Sequence, residues 1–157
     1  MTTAQVLERF RDGPGSGLFT DGSCSGNPGP GGWGVVYVQD GELLAERHGY
    51  DPSTTNNRME FTAMIEALGL VGPREPVEIY TDSRLVLDTI TKWAAGWKQR
   101  GWRRRDGEVK NLELVQEAYA LAQQRPQAHI RWIKAHDGSR WNEYADALAT
   151  AYLREEV

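Results

Sequence analysis

Residues 18–34 read LFTDGSCSGNPGPGGWG, and this stretch decides the fold. The apolar pair Leu18-Phe19 reads as the end of a buried strand, which delivers Asp21 to its C-terminal tip. A turn rich in Gly, Pro and Asn follows and leads into a second strand at Trp33. A carboxylate at a strand end, followed by a loop dense in backbone donors, suits a cation and a phosphate. The design recurs at residues 77–83, VEIYTDS, where a second apolar strand ends in Thr81-Asp82. Parallel pairing of the two strands sets the two carboxylates side by side.

Outward from that pair, the size of the chain bounds the answer. Its 157 residues suffice for one domain with a single buried core, and 39% hydrophobic with 25% charged residues is ordinary for a globular protein. The net charge of −4 argues against a generally basic nucleic-acid coat but is compatible with a local basic patch. Cys24 is the single cysteine, which excludes an internal disulfide and a cysteine-ligated zinc site and fits a reducing compartment. No run approaches the roughly 18–20 apolar residues that span a bilayer, and the N-terminus lacks a basic-then-apolar leader. A cytoplasmic protein without membrane association is expected.

Residues 1–17 read as an N-terminal extension, with Val6, Leu7 and Phe10 along one side of a short helix that Gly13-Pro14-Gly15 would end. The domain proper is residues 18–157. Asp40-Gly41 between the apolar runs 33–38 and 43–50 is a hairpin signal, so the first three strands form an antiparallel meander. Helical spacing then takes over from Asn56 to Val71, through Phe61, Ile65 and Leu68, until Gly72-Pro73 stops it. A strand through Thr81 follows, then a helix from Arg84 to about Trp93 capped by Ser83. An irregular stretch runs from Trp93 to Lys110, a helix over 112–124, an alternating strand over 128–134 and a last helix over 141–154. A meander followed by right-handed crossovers predicts an α/β fold, a five-stranded mixed sheet with helices packed on it.

Glu60 shares a helix side with Ala63, Met64 and Ala67, and an acid on an apolar stripe is costly unless paired or metal-bound. Asp146 raises the same question in the last helix, beside Asn142 and Glu143. The topology gathers Asp21, Glu60, Asp82 and Asp146 at the C-terminal edge of the parallel strands, where α/β sheets place ligands. Four close carboxylates repel one another, and divalent cations are the natural counter-charge. Oxygen donors without cysteine point to Mg²⁺ or Mn²⁺.

Six blocks in order, TDGSCSGNPGPGGWG, TTNNRMEFTAMIEAL, IYTDSRLVLDTI, WAAGWKQRGWRRR, VKNLELV and HDGSRWNEYADALA, make residues 18–151 resemble type 1 ribonuclease H. The resemblance implies a ribonuclease H-like fold and an endonuclease that cuts the RNA strand of an RNA·DNA hybrid, leaving 5′-phosphate and 3′-hydroxyl ends. It implies that Asp21, Glu60, Asp82 and Asp146 hold two Mg²⁺ ions, with Mn²⁺ as a substitute. One ion would activate water and the other would stabilise the leaving 3′ oxygen. His136 matches a histidine associated with proton movement or product release. Its loop departs from the family pattern at Ala135, where glycine is usual, and at Asp137, Arg140 and Trp141, which bears on turnover rather than on the acids.

By the same resemblance Cys24, Asn27, Asn56 and Asn57 contact the minor groove of the hybrid, where 2′-hydroxyls are exposed. Arg84 stands where the family commonly has glutamine, which implies a phosphate contact in place of a groove contact. The resemblance also implies that Trp93 packs on a deoxyribose, and that Lys98 and Arg100, with Arg103, Arg104, Arg105 and Lys110, form a basic protrusion gripping the DNA strand. The implied partner is the hybrid duplex, with a monomeric protein and no obligate protein partner. A catalytically silent hybrid-binding module is the alternative, opposed by the presence of all four acids. A DNA exonuclease on the same scaffold is opposed by Asn56-Asn57-Arg58-Met59-Glu60 and the basic stretch.

Overall fold

The computed structural model describes residues 1–157. Helix α1 (Thr3–Arg9) precedes the strands β1 (Gly17–Cys24), β2 (Gly29–Gln39) and β3 (Glu42–Thr54). Helix α2 (Asn56–Gly69) leads to β4 (Val77–Thr81), then to α3 (Arg84–Asp88), a π-helical turn (Thr89–Trp93) and α4 (Ala94–Gln99). Two-residue arms, β5 (Arg103–Arg104) and β6 (Gly107–Glu108), make a small hairpin before α5 (Leu112–Gln123). Strand β7 (Ala128–Trp132), helix α6 (Arg140–Ala149) and a 3₁₀ turn (Ala151–Leu153) complete the chain. No helix is long and apolar enough to cross a membrane.

The sheet order is β3-β2-β1-β4-β7, with β1, β2 and β3 antiparallel and β1, β4 and β7 parallel, as the hydrophobic patterning anticipates. Asp40 and Gly41 take φ of 50° and 78°, the primed turn that matches strand twist. Alternation along the strands feeds two cores. Leu18, Val35 and Ile79 face α2 and α5 with Phe61, Met64, Leu68 and Val115, whereas Phe19, Val36 and Val38 face α6 with Trp141, Tyr144 and Leu148.

Several details differ from the sequence reading, among them the last helix, which stops at Ala149 with a 3₁₀ turn after it, and β7, which stops at Trp132. Strand β1 does not end at Asp21 but runs to Cys24, because β2 continues to pair with it through Cys24↔Gly31 after the parallel partner β4 has stopped at Thr20↔Thr81. Strands β2 and β3 are longer than the apolar runs suggest, 11 and 13 residues. The helix that Ser83 caps does not end at Trp93; it passes through the π-helical turn and continues to Gln99. Helix α1 ends at Arg9, ahead of Gly13, and the N-terminal extension is an ordered one, with Val6 buried in the cluster that holds Phe19, Trp141 and Tyr144.

Candidate active site

The cleft at the C-terminal edge of β1 and β4 has a volume of about 350 Å³ and is lined by Asp21, Cys24, Asn56, Glu60, Asp82, His136 and Asp146 among others. Four elements deliver its acids, with Asp146 coming from α6. Asp21 sits where β1 loses its parallel neighbour, so its side chain stands at a gap in the sheet rather than over a packed strand. Asp82 follows the last residue of β4, and the Thr81 hydroxyl accepts from the Ser83 amide at 3.0 Å, which fixes the turn after it. Glu60 comes from α2, whose first turn Thr55 caps by accepting from the Arg58 amide at 3.2 Å. Close approach of α2 to β1 requires Gly22, since a Cβ there would lie 2.4 Å from the Glu60 nitrogen.

Carboxylate oxygens of Asp21, Glu60 and Asp82 lie within 4.8 Å of one another. His136, Glu143 and Asp146 make a second group with the same spacing, joined to the first where the Asp146 carboxyl meets that of Asp21. Asp21 is only 6% exposed and Glu60 5%. Burial, followed by the neighbouring Glu60 and Asp82 charges, holds the Asp21 carboxyl well above the usual carboxylate range. Burial and then Asp82 raise Glu60 likewise, and burial raises Asp82 while its contacts with Glu60 and Asn142 partly offset that rise. One oxygen of Glu60, Oε1, is buried without a hydrogen-bond partner. A buried acceptor lacking a donor, in a ring of acids, is the electrostatic signature of a place for a hard cation.

His136 lies at the mouth, its backbone left-handed at φ 52° and its Nδ1 3.7 Å from Glu143 Oε1. Burial pushes the Glu143 carboxyl up, and His136 opposes that shift. Glu143 and Asn142 are the residues that sequence reasoning left without a role. Their signal was their place on the side of α6 that carries Asp146, at three and four residues before it.

The expected hybrid contacts divide into two places. Cys24 Sγ is within reach of the carbonyl oxygens of Gly26, Gly29 and Thr54, at 3.6, 3.5 and 3.4 Å. Asn27 Oδ1 accepts from the Asn56 amide at 2.9 Å, so it ties the β1–β2 loop to the start of α2. Asn56 faces the cleft and Asn57 is exposed beside it. The Arg84 guanidinium lies 4.4 Å over the Trp132 ring, at the tip of β7. Away from the acids, Trp93, Trp97, Arg100, Arg104 and Arg105 line a separate hollow of about 440 Å³. Trp93 and Trp97 pack at 6.0 Å between centroids, and Lys98 is exposed on the same short helix.

A family model described as RNase H matches residues 15–154. The chain is 51% identical over 133 residues to the ribonuclease H of Agrobacterium fabrum, covering 84% of this chain and 90% of that one. It is 48% identical over 148 residues to the ribonuclease H of Bordetella pertussis, covering 92% and 93%. Among solved structures, LC9-RNase H1, a type 1 RNase H with the type 2 active-site motif, matches with a TM-score of 0.72 at 39% identity over 90% of this chain and 74% of that one. LC11-RNase H1 in complex with an RNA/DNA hybrid matches with a TM-score of 0.61 at 27% identity over 87% and 98%.

Proposed function

The chain belongs to the ribonuclease H family and is a ribonuclease H hydrolase, and from that premise we propose that it cuts the RNA strand of RNA·DNA hybrids internally at the cleft of Asp21, Glu60, Asp82 and Asp146. The observation that carries this reading is the cluster itself, with oxygens of Asp21, Glu60 and Asp82 within 4.8 Å of one another and Asp146 reaching Asp21. The donor set fits a hard divalent cation: all oxygen, largely buried, with Glu60 Oε1 lacking a partner. The four acids would hold two such ions, Mg²⁺ by preference and Mn²⁺ as substitute. Bound cations supply Lewis acidity at the entering and departing oxygens of the phosphodiester.

The protein's own groups do the rest. The junction of β1, β4, α2 and α6 gathers the acids before any substrate is bound, so little reorganisation is needed when charge builds on the phosphate. Water adds to phosphorus and the bond to the 3′ oxygen breaks, which leaves a 5′-phosphate and a 3′-hydroxyl. His136, exposed at the mouth with Glu143 behind it, is placed to exchange protons there and to help the product leave. Cys24, Asn56 and Asn57 border the minor-groove side, where 2′-hydroxyls distinguish RNA from DNA, with Asn27 holding their loops together. Arg84 offers a charge to a phosphate, and Trp93, Lys98 and Arg100 grip the DNA strand further along. The free thiol of Cys24 suits a reducing, cytoplasmic setting, and the reading takes the enzyme as a monomer.

End analysis tests this reading. A hybrid cut in Mg²⁺ is expected to yield RNA fragments that a polymerase extends from their 3′-hydroxyls. Cyclic phosphate ends, or cutting undiminished by chelator, would rule it out.

A further inference from the structure

The segment before β1 and the loop that carries His136 meet at one point. Asp12 forms a parallel bridge with Ser139, and the Asp12 carbonyl accepts from the Arg140 amide at 2.9 Å. Arg140 is the first residue of α6, and the opening amides of a helix need partners from outside it. Ser139 stands in the capping position, yet its side chain makes no cap hydrogen bond; its hydroxyl is buried without a partner. Gly13 is pressed against it: a Cβ there would lie 2.4 Å from Ser139 Oγ, on a backbone at φ 91°. A second tie runs from Arg140 Nη2 to the Leu7 carbonyl at 3.5 Å. Val6 packs into the core beside Trp141 and Tyr144, and the Thr3 amide donates to the Val157 carbonyl at 3.0 Å. The usual side-chain cap of α6 is therefore replaced by a backbone cap brought from the other end of the chain.

What lies beyond that cap is the candidate site. Helix α6 carries Asn142, Glu143 and Asp146, and the short connection from β7 carries His136 at φ 52° and Gly138 at φ 79°. The connection has two anchors, the tip of β7 and the cap at Asp12. The family match begins at residue 15, so the capping segment lies outside the matched region.

We propose that residues 3–13 are a positioning element that fixes the start of α6 and thereby the His136 connection, so that release of the clamp slows turnover without weakening hybrid binding. The proposal rests on the cleavage reading above for its kinetic half alone; the clamp itself is a statement about structure. A firmly held connection presents His136 and Glu143 in one arrangement, and a loosened one spreads them over several.

Amide hydrogen exchange and steady-state kinetics on the full chain test it, with Gly13→Val to push Ser139 away and Arg140→Met to remove the tie to Leu7. In both variants exchange over residues 136–146 is expected to quicken roughly tenfold or more, while α5 keeps its wild-type protection. On a hybrid substrate kcat is expected to fall about threefold or more, with KM within about twofold. Unchanged exchange in the connection, or equal acceleration in α5, would overturn the proposal, as would a rise in KM at constant kcat. If Gly13→Val fails to fold, Arg140→Met decides. If the wild-type chain does not cut the hybrid, the cleavage reading falls and exchange alone judges the clamp.

Discussion

Asp21 is the residue on which the electrostatics turn. Its native pKa is raised by burial first and by Glu60 and Asp82 next, whereas an unfolded aspartate ionises near about 4. A raised native value means that the folded state binds more protons, so this contribution to stability is fully present below about pH 4 and is lost as pH climbs through the native pKa. Metal-free protein at neutral pH therefore carries the cost of crowded charge. Asp21→Asn is expected to raise the melting temperature in EDTA at pH 7 by roughly a few degrees and to lower cleavage by about a hundredfold or more. Scanning calorimetry with and without Mg²⁺ checks the first part: wild type should gain more from the cation than the variant does. Glu143→Gln is expected to lower kcat by about tenfold with hybrid affinity kept, measured by steady-state kinetics. The four acids were legible in sequence because each breaks a local pattern, at a strand end or on an apolar helix side. Glu143 was not, since an acid early in a helix is ordinary and its partner His136 meets it only through the fold.

Among the elements, the short helix α3 owes its start to Ser83, whose hydroxyl accepts from the Val86 amide at 3.2 Å. Ser83→Ala is expected to cost about 1 kcal/mol in denaturant unfolding. The arm from Trp93 to Arg105 is expected to act through phosphate charge. Replacing Lys98, Arg100 and Arg104 with glutamine should raise KM and flatten its dependence on salt, with kcat kept. The log slope should drop by up to about one for each phosphate left without its cation. Hydrophobic period and turn chemistry made the order of strands and helices readable. The opening of β2 was not, because Gly29, Gly31 and Gly32 read as loop; pairing with β1 and β3 makes them strand, and carbonyls of Ser25, Ser23 and Ala149, pressing where side chains would stand, make them glycine. The π-helical turn at 89–93 was equally hidden, since nothing in its composition interrupts a helix. It leaves Val86, Ile90 and Ala94 buried and Trp93 42% exposed beside the basic hollow.

At the scale of the molecule, one sheet separates two cores, and the site lies where elements from both sides converge on a gap between strands. Asp21, Asp82 and Glu60 are positioned by β1, β4 and α2; Asp146 arrives from α6 across the sheet. The parallel pairing behind this was readable from two apolar runs that each lead into Thr-Asp, and it stops at Thr20↔Thr81, just before both aspartates. The incorporation of α1 was not, since its partners Trp141 and Tyr144 are remote in sequence and a short amphipathic helix carries no mark of what it covers. The measurement that tests the central claim most directly uses one end-labelled RNA strand, presented single-stranded, paired with RNA and paired with DNA. Each is incubated with Mg²⁺, beside an EDTA control and Asp82→Asn. Internal cuts confined to the DNA-paired strand, and lost with chelation and with the substitution, are the expected result. Tight binding of the hybrid without cutting in Mg²⁺ or Mn²⁺, or cutting that survives Asp82→Asn, would contradict it.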